Sequence, residues 1–471
     1  MESSNEIDGK INKKGDINKN IVIGVTGTVL LKIISFVTII LVGYVMSEEQ
    51  YGNLSTYNTW IIIFSVFVGL QFGGSLQNAL LEYEKERYHS YCFTIISFAF
   101  LTFLVPFVFS LAFKNSLANL LKIDPLFIFL LFPQCFFAFL VNFMTSYFLS
   151  QKKVKKNLIW TLSFCVASAT LSLLFSLFFE YKEFGYSLGI FIPNFIMGSI
   201  TIVYFIIKSK FKFNVEFLKF GLLFSLPLVM HMLGSVILGQ SDKIMIRFLI
   251  DEVQTGQYTM THNYAMLINA VWAAFNGVFV PYYYENLKEK KYDLLNERCK
   301  NYYIFFSCIS FGFILVGREI VRFIVDEKFY DGLVIFEVSV LAQFFIFLYS
   351  FCVNYEFYRK KTVWIAIGTI ITAIINILLN FWFITIWGIF GAALASTISY
   401  LFLIIFHEFI SRVIIKEYPI SIFYNIFFVI VASLVTLVSI LLRDFWIIRW
   451  VIGALIGIFL IYRLIKTKRV I

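Results

Sequence analysis

From Ile21 onward, long apolar runs alternate with short polar breaks, and most of the runs are about 20 residues long. A helix that crosses the hydrocarbon core needs about 20 apolar residues, so each run predicts one membrane span. The pattern predicts spans near 21–46, 57–80, 91–113, 126–149, 158–179, 184–207, 217–239, 259–283, 302–317, 333–355, 363–386, 388–407, 421–442 and 446–462. These are fourteen helices, and the breaks between them leave no room for a soluble catalytic domain. The first 20 residues are polar and carry four lysines, and the run that follows exceeds the apolar core of a cleaved signal peptide. The expectation is a polar cytoplasmic N-terminus over 1–20 followed by an uncleaved first span.

Composition agrees with the pattern: 60% of the residues are hydrophobic and 14% charged, with a mean hydropathy of +0.83. Soluble domains carry about 25% charged residues, so the chain reads as an all-α polytopic membrane protein. Its net charge of +10 would point to nucleic acid in a soluble protein, but here position decides. With the N-terminus inside, 28 Lys and Arg fall in inner segments and 10 in outer ones, with Lys32 inside a span. By the positive-inside rule both termini are cytoplasmic, and no nucleic-acid partner is expected. The six cysteines lie scattered in apolar segments without C-x-x-C spacing, which suggests neither a zinc site nor a disulfide framework.

The chain also repeats itself. Glu48-Glu49-Gln50-Tyr51-Gly52 follows the first span, and Asp251-Glu252-Val253-Gln254-Thr255-Gly256-Gln257-Tyr258 follows the seventh. Each is an outer connection with an acidic pair, then Gly and Tyr, then a span ending in a charged, tyrosine-bearing inner loop. Six spans separate the copies, so both halves start inside and the repeat is parallel, about an axis along the membrane normal. The expected organisation is two six-helix bundles, 21–207 and 216–410, with a cytoplasmic linker at 208–219 that overlaps the second bundle's start. Two added helices over 420–466 and a cytoplasmic tail at 467–471 complete it.

Polar residues inside spans are the candidates for chemistry, because they are costly there and tend to face protein or water. Lys32 shares one face of the first span with Gly24, Thr28 and Ser35; a cation on that face suits an anionic group, and a snorkelling or structurally paired lysine is the alternative. In the seventh span Pro227, His231, Ser235 and Asp242 share a face, with Pro227 placed to kink it. Asp242, Lys243 and Arg247 follow the apolar run and are expected at the outer mouth of a cavity or on a solvated helix end. Gln71 and Asn78 in the second span and Asn263 and Asn269 in the eighth are amides that donate and accept, as a sugar-lined path requires; interhelical hydrogen bonding is their structural alternative. The fourth, tenth and eleventh spans hold further amides, among them Gln134, Asn142, Gln343, Asn376 and Asn380.

No G-x-x-x-x-G-K-[ST] or H-E-x-x-H motif occurs in the sequence, so no nucleotide, cofactor or metal is expected. A membrane glycosyltransferase using Glu48-Glu49 is the enzymatic rival. Its outer loops are too short to build an acceptor site, and the acidic pair recurs in the second half, so no catalysis is expected.

The basic residue in the first span, the Glu49-Gln50-Tyr51-Gly52 turn, and Ser241-Asp242-Lys243 followed by Gly256-Gln257-Tyr258 resemble the polysaccharide flippases of the multidrug/oligosaccharidyl-lipid/polysaccharide exporter superfamily. The resemblance covers roughly 20–410. It implies two six-helix lobes around a central cavity, alternating access, and undecaprenyl-diphosphate-linked oligosaccharide as cargo for O-antigen, capsule or exopolysaccharide in the bacterial cytoplasmic membrane. On that reading Lys32 engages the diphosphate and the prenyl tail stays in membrane lipid. Either His231 or Asp242 would couple proton or sodium movement, or the gradient of lipid-linked cargo and the membrane potential would drive the cycle, and a polysaccharide polymerase is a fitting partner. Lipid II flippases share the fourteen-span layout, but their early F-G motif is absent around Tyr51-Gly52; the superfamily's drug and metabolite antiporters typically have twelve spans.

Overall fold

The computed structural model describes residues 24 and 27–467, and its regular structure is helical. The polar terminus expected at 1–20, and the tail from 468 onward, lie outside the described residues. The helices are α1 (Gly27–Val45), α2 (Glu48–Gly69), α3 (Leu76–Glu82), α4 (Lys85–Ala112), α5 (Lys114–Leu121), α6 (Pro125–Ser150), α7 (Val154–Phe178), α8 (Lys182–Ser209) and α9 (Val215–Leu249). They continue as α10 (Glu252–Ala265), α11 (Leu267–Lys288), α12 (Tyr292–Ile324), α13 (Phe336–Tyr358), α14 (Thr362–Phe409), α15 (Ile422–Leu441) and α16 (Trp446–Thr467).

Among the described residues, twelve helical segments are long and apolar enough to cross a membrane, and the bent pair α2 and α3 makes thirteen. The segment from Thr362 to Ile415 holds 54 residues, far more than one crossing at 1.5 Å per residue. It breaks at Gly388, whose φ of 57° and ψ of −139° suit a residue without Cβ, so its two arms bring the tally to the expected fourteen. The break falls at the first residue of the predicted span 388–407, next to the end of 363–386. Other edges moved: the predicted 302–317 is the core of a 33-residue helix, α12, and α9 continues ten residues past the predicted end at 239.

The described residues divide into two compact units, one up to residue 46 and over 56–233, the other over 47–55 and from 234 onward. In the first unit α6 is the most enclosed span and in the second α13, which are the fourth span of each expected bundle. Phenylalanines dominate both: Phe127, Phe132, Phe136 and Phe143 of α6 and Phe344, Phe345, Phe347 and Phe351 of α13 are all buried. Lipid tails offer no hydrophobic drive between helices, so close contact needs small residues. On α7, Ser168, Ser172 and Ser176 are buried at four-residue spacing. Two glycines of α8 let its backbone approach: a Cβ on Gly189 would lie 2.4 Å from the Ser172 backbone, and one on Gly185 would lie 2.6 Å from the Phe175 carbonyl oxygen.

Three connections share one turn. After α6, α11 and α13, the tripeptides Gln151-Lys152-Lys153, Glu289-Lys290-Lys291 and Arg359-Lys360-Lys361 each put the middle lysine in the left-handed region, at φ 57°. The next lysine's N–H bonds back to the carbonyl five residues earlier, that of Phe148, Asn286 or Glu356, at 2.9–3.0 Å, which closes the helix in a Schellman turn. Glycine is the usual residue there; lysine accepts the conformational cost and places a cation at the negative helix end. All three turns lie in the loops that hold the basic excess.

The added pair α15 and α16 packs on α12 and α13. Arg449 at the start of α16 is fully buried. It donates to the carbonyls of Leu442 at 3.1 Å, Leu315 at 3.2 Å and Arg443 at 3.3 Å, and to the Glu319 carboxylate. Arg443 pairs with the buried Glu337 at 3.0 Å. These cations read in the sequence as outer-loop charges; they are interior clamps that fasten the last two helices to the second unit.

Candidate functional site

The second unit contains a polar centre built from α9, α10, α13 and both arms of α14. Asp242 is 5% exposed, and three donors converge on its carboxylate: Tyr258 Oη, Ser396 Oγ and Asn380 Nδ2, each at 2.6 Å. Asn376 continues the network, accepting from Ser241 Oγ at 2.6 Å and from Asn380 at 3.0 Å and donating to Ser396 at 3.2 Å. A carboxylate in hydrocarbon persists only when it is hydrogen-bonded or paired, and three spans, α10 and the two arms of α14, bring it partners. Lys243 lies beside it, its ammonium bonded to Gln240 Oε1 at 3.2 Å.

A cavity of about 150 Å³ opens against this network, lined among others by Asp242, Lys243, His262, Asn269 and Gln343. His262 stacks on Tyr258, with ring planes 12° apart, and Asn269 donates to Gln343 at 2.6 Å. His262 Nδ1, Asn269 Oδ1 and Asn380 Oδ1 are buried without a hydrogen-bond partner among the described residues. Unspent polar atoms beside a carboxylate suit a proton, a monovalent cation or bound water. No group of three or more His, Cys, Asp or Glu gathers among the described residues in a way that could hold a metal ion.

The two copies of the repeated turn meet inside this second unit. A Cβ on Gly52 would fall 1.8 Å from the carbonyl oxygen of Glu252, and one on Gly256 would fall 2.1 Å from that of Glu48. The contact is reciprocal: Glu48, Gly52 and Ser55 correspond to Glu252, Gly256 and Thr259, and the last pair, 204 residues apart, bond hydroxyl to hydroxyl at 2.7 Å. Mutual contact of equivalent positions is the mark of a local two-fold axis. Gln257 donates to Glu48, and Arg247 pairs with Glu252 and reaches Asn53 Oδ1 at 3.3 Å. Asn263 donates to Tyr51 at 3.0 Å.

The candidates named from the sequence therefore separate. Asp242, Lys243 and Asn269 surround one cavity; Asp242 lies inside α9 as a buried hub, where the sequence reading put it past the end of the span. Arg247 and Asn263 belong to the repeated turn. Lys32 is exposed on α1, and the neighbouring hydroxyls bond their own helix, Thr28 to Gly24 and Ser35 to Leu31, both at 2.9 Å. Gln71 lines a second cavity, in the first unit; Asn78 is exposed on α3 and His231 half-buried on α9. The sequence reading left Tyr258, His262 and Ser396 out of the site. The signal for the network was the i, i+4 pair Asn376 and Asn380, which stacks two amides on one face of a span.

Residues 17–286 match the family described as "Polysaccharide biosynthesis protein". The chain belongs to this family. Among curated relatives, Lsg locus protein 1 of Haemophilus influenzae is 24% identical over 76% of this chain and 89% of its own. An uncharacterized membrane protein of the same organism is 23% identical over 74% of this chain and 86% of its own. The fold is that of a lipid II flippase, MurJ, in an inward closed conformation, with a TM-score of 0.68, 19% identity, and coverage of 94% of this chain and all of that one. An inward-facing multidrug MATE family transporter of the same superfamily matches with a TM-score of 0.63 and 12% identity, over 84% of this chain and 99% of that one. The chain is thus a multi-pass membrane protein that shares its fold with these two proteins.

Proposed function

We propose that the protein flips undecaprenyl-diphosphate-linked oligosaccharide units across the bacterial cytoplasmic membrane, by alternating access, for surface polysaccharide synthesis. The observation that carries this reading is the family match over residues 17–286. A sugar diphosphate cannot cross about 30 Å of hydrocarbon unsolvated. Two bundles rocking about a polar site avoid a continuous pore, and the bundles are taken as 21–207 and 216–410 with an added pair over 420–466.

In this reading Lys32 meets the diphosphate, the prenyl chain stays in lipid, and both termini are cytoplasmic, as the basic excess of 28 to 10 supports. The Asp242 network couples the cycle to a proton or sodium ion, supported by its buried carboxylate and the unspent polar atoms beside it. Lipid II as cargo is the second reading, favoured by the end-to-end overlay on the lipid II flippase fold. The test is a strain deleted for the protein. Lipid-linked oligosaccharide retained on the inner leaflet, with normal peptidoglycan, supports the first reading; inner-leaflet lipid II and rescue of cells depleted of their lipid II flippase would replace it with the second.

A further inference from the structure

The second span contains a break that its sequence hid. α2 stops at Gly69, Leu70 and Gln71 take left-handed φ values of 42° and 53°, a 3₁₀ turn runs Phe72–Ser75, and α3 leaves at 45° to α2. Neither left-handed residue is glycine, so the conformation is held by its surroundings. Thr102 of α4 donates to the carbonyl of Val68 at 2.7 Å, and Ser75 bonds the Phe72 carbonyl and the Tyr91 hydroxyl. Irregular backbone inside a span is tolerated where it is buried in protein or lines a cavity.

Here it lines one. Between the break and α6 lies a cavity of about 230 Å³ whose walls include Ser65, Gln71, Asn142 and Ser146, together with Phe139 and Phe143. No Asp, Glu, Lys, Arg or His is among its lining residues. The side chains of Gln71, Asn142 and Ser146 have no hydrogen-bond partner among the described residues. Gly73 keeps the space open: a Cβ there would stand 3.0 Å from Ser146 Oγ.

The chemistry of the walls selects the ligand class. A phosphate is best matched by cations and a metal cation by carboxylates, and no charged side chain lines the cavity. Two amides and two hydroxyls offer donors and acceptors together, as a ring of hydroxyls requires, while the flanking phenyl faces suit the C–H face of a sugar. The volume is below that of a drug-sized ligand site, about 300 Å³ or more, which limits the occupant to about one ring. We propose that the pocket at the break in α2 holds one uncharged sugar residue of the cargo, apart from its diphosphate. This rests on the flippase reading above and adds where the sugar is recognised.

The test uses the full chain in nanodiscs and three lipids: undecaprenyl diphosphate, and the same lipid carrying N-acetylglucosamine or galactose. Wild type is expected to bind at least one sugar-bearing lipid about tenfold more tightly than the bare diphosphate, the scale of one or two hydrogen bonds. Asn142→Leu and Gln71→Leu should bring that ratio to about one while affinity for the bare diphosphate stays unchanged. Ser146→Ala, the smallest change, should lower it in part. A sugar preference that all three variants retain, or no preference in wild type, overturns the pocket assignment alone. Failure of wild type to bind any of the three lipids overturns the flippase reading and the pocket together.

Discussion

The two units each enclose a polar cavity, and the cavities are built on opposite plans. In the second unit Asp242 is saturated by three donors drawn from α10 and the two arms of α14, so the polar groups there hold the helices together as much as they face the cavity. In the first unit Gln71, Asn142 and Ser146 line a cavity and bond to no side chain, and the fold around them is held by phenylalanine packing and by Thr102 and Ser75 at the break. A charge inside a membrane protein must be wired into the structure, whereas a neutral amide can be left free for a ligand, because its desolvation costs far less. Substitutions in the two cavities should therefore separate stability from transport.

The largest effect is expected at Asp242. Asp242→Ala leaves three buried donors without an acceptor, at about 1–3 kcal/mol for each group, so both the unfolding temperature in detergent and polysaccharide export should fall steeply. Asp242→Asn, which keeps the shape and part of the hydrogen bonding, should restore much of the thermal stability but not the export if the carboxylate binds the coupling ion. Equal thermal stability of wild type and Asp242→Ala would break the comparison.

Next comes the repeated turn. Gly256→Val puts side-chain atoms where Glu48 O lies, 2.1 Å from the added Cβ, so the reciprocal contact with Gly52 must open. Cysteines at Ser55 and Thr259, whose hydroxyls are 2.7 Å apart, should cross-link in the wild-type background and much less in Gly256→Val. Unchanged cross-linking would show that the two turns are not held by the glycine contact.

The smallest effect on stability is expected in the first unit. Gln71→Leu and Asn142→Leu remove no bond that the structure contains, and should stay within about 0.5 kcal/mol of wild type in chemical unfolding. A large loss would mean that these amides serve the fold, and would erase the contrast between the cavities.

Much of this architecture was legible in the apolar runs. The break at Gly388 fell at the first residue of the predicted span 388–407, and the acidic-glycine turn was visible as a repeat, although nothing in the sequence said that Gly52 and Gly256 would meet. What the sequence concealed was charge that has been taken inside. Asp242, Lys243 and Arg247 end an apolar run, and Arg443 and Arg449 interrupt another, so a hydropathy reading places them outside; their partners, such as Ser396, Asn380, Glu337 and Glu319, come from helices distant in sequence. The break at Leu70-Gln71 was hidden for the converse reason: the surrounding residues are apolar enough to be read as one continuous span from 57 to 80, and nothing local marks two left-handed residues that tertiary contacts hold in place.

The central claim is that this chain moves a lipid-linked sugar by engaging its diphosphate at Lys32, and reconstitution tests it most directly. Proteoliposomes containing the full chain, loaded with fluorescent undecaprenyl-diphosphate-linked disaccharide, would be followed for loss of probe from one leaflet to a membrane-impermeant quencher. The account predicts protein-dependent transbilayer movement that Lys32→Ala abolishes at equal protein incorporation and that Lys32→Arg retains in part, because the charge survives with altered geometry. Movement no faster than in protein-free liposomes, or full activity in Lys32→Ala, would contradict it.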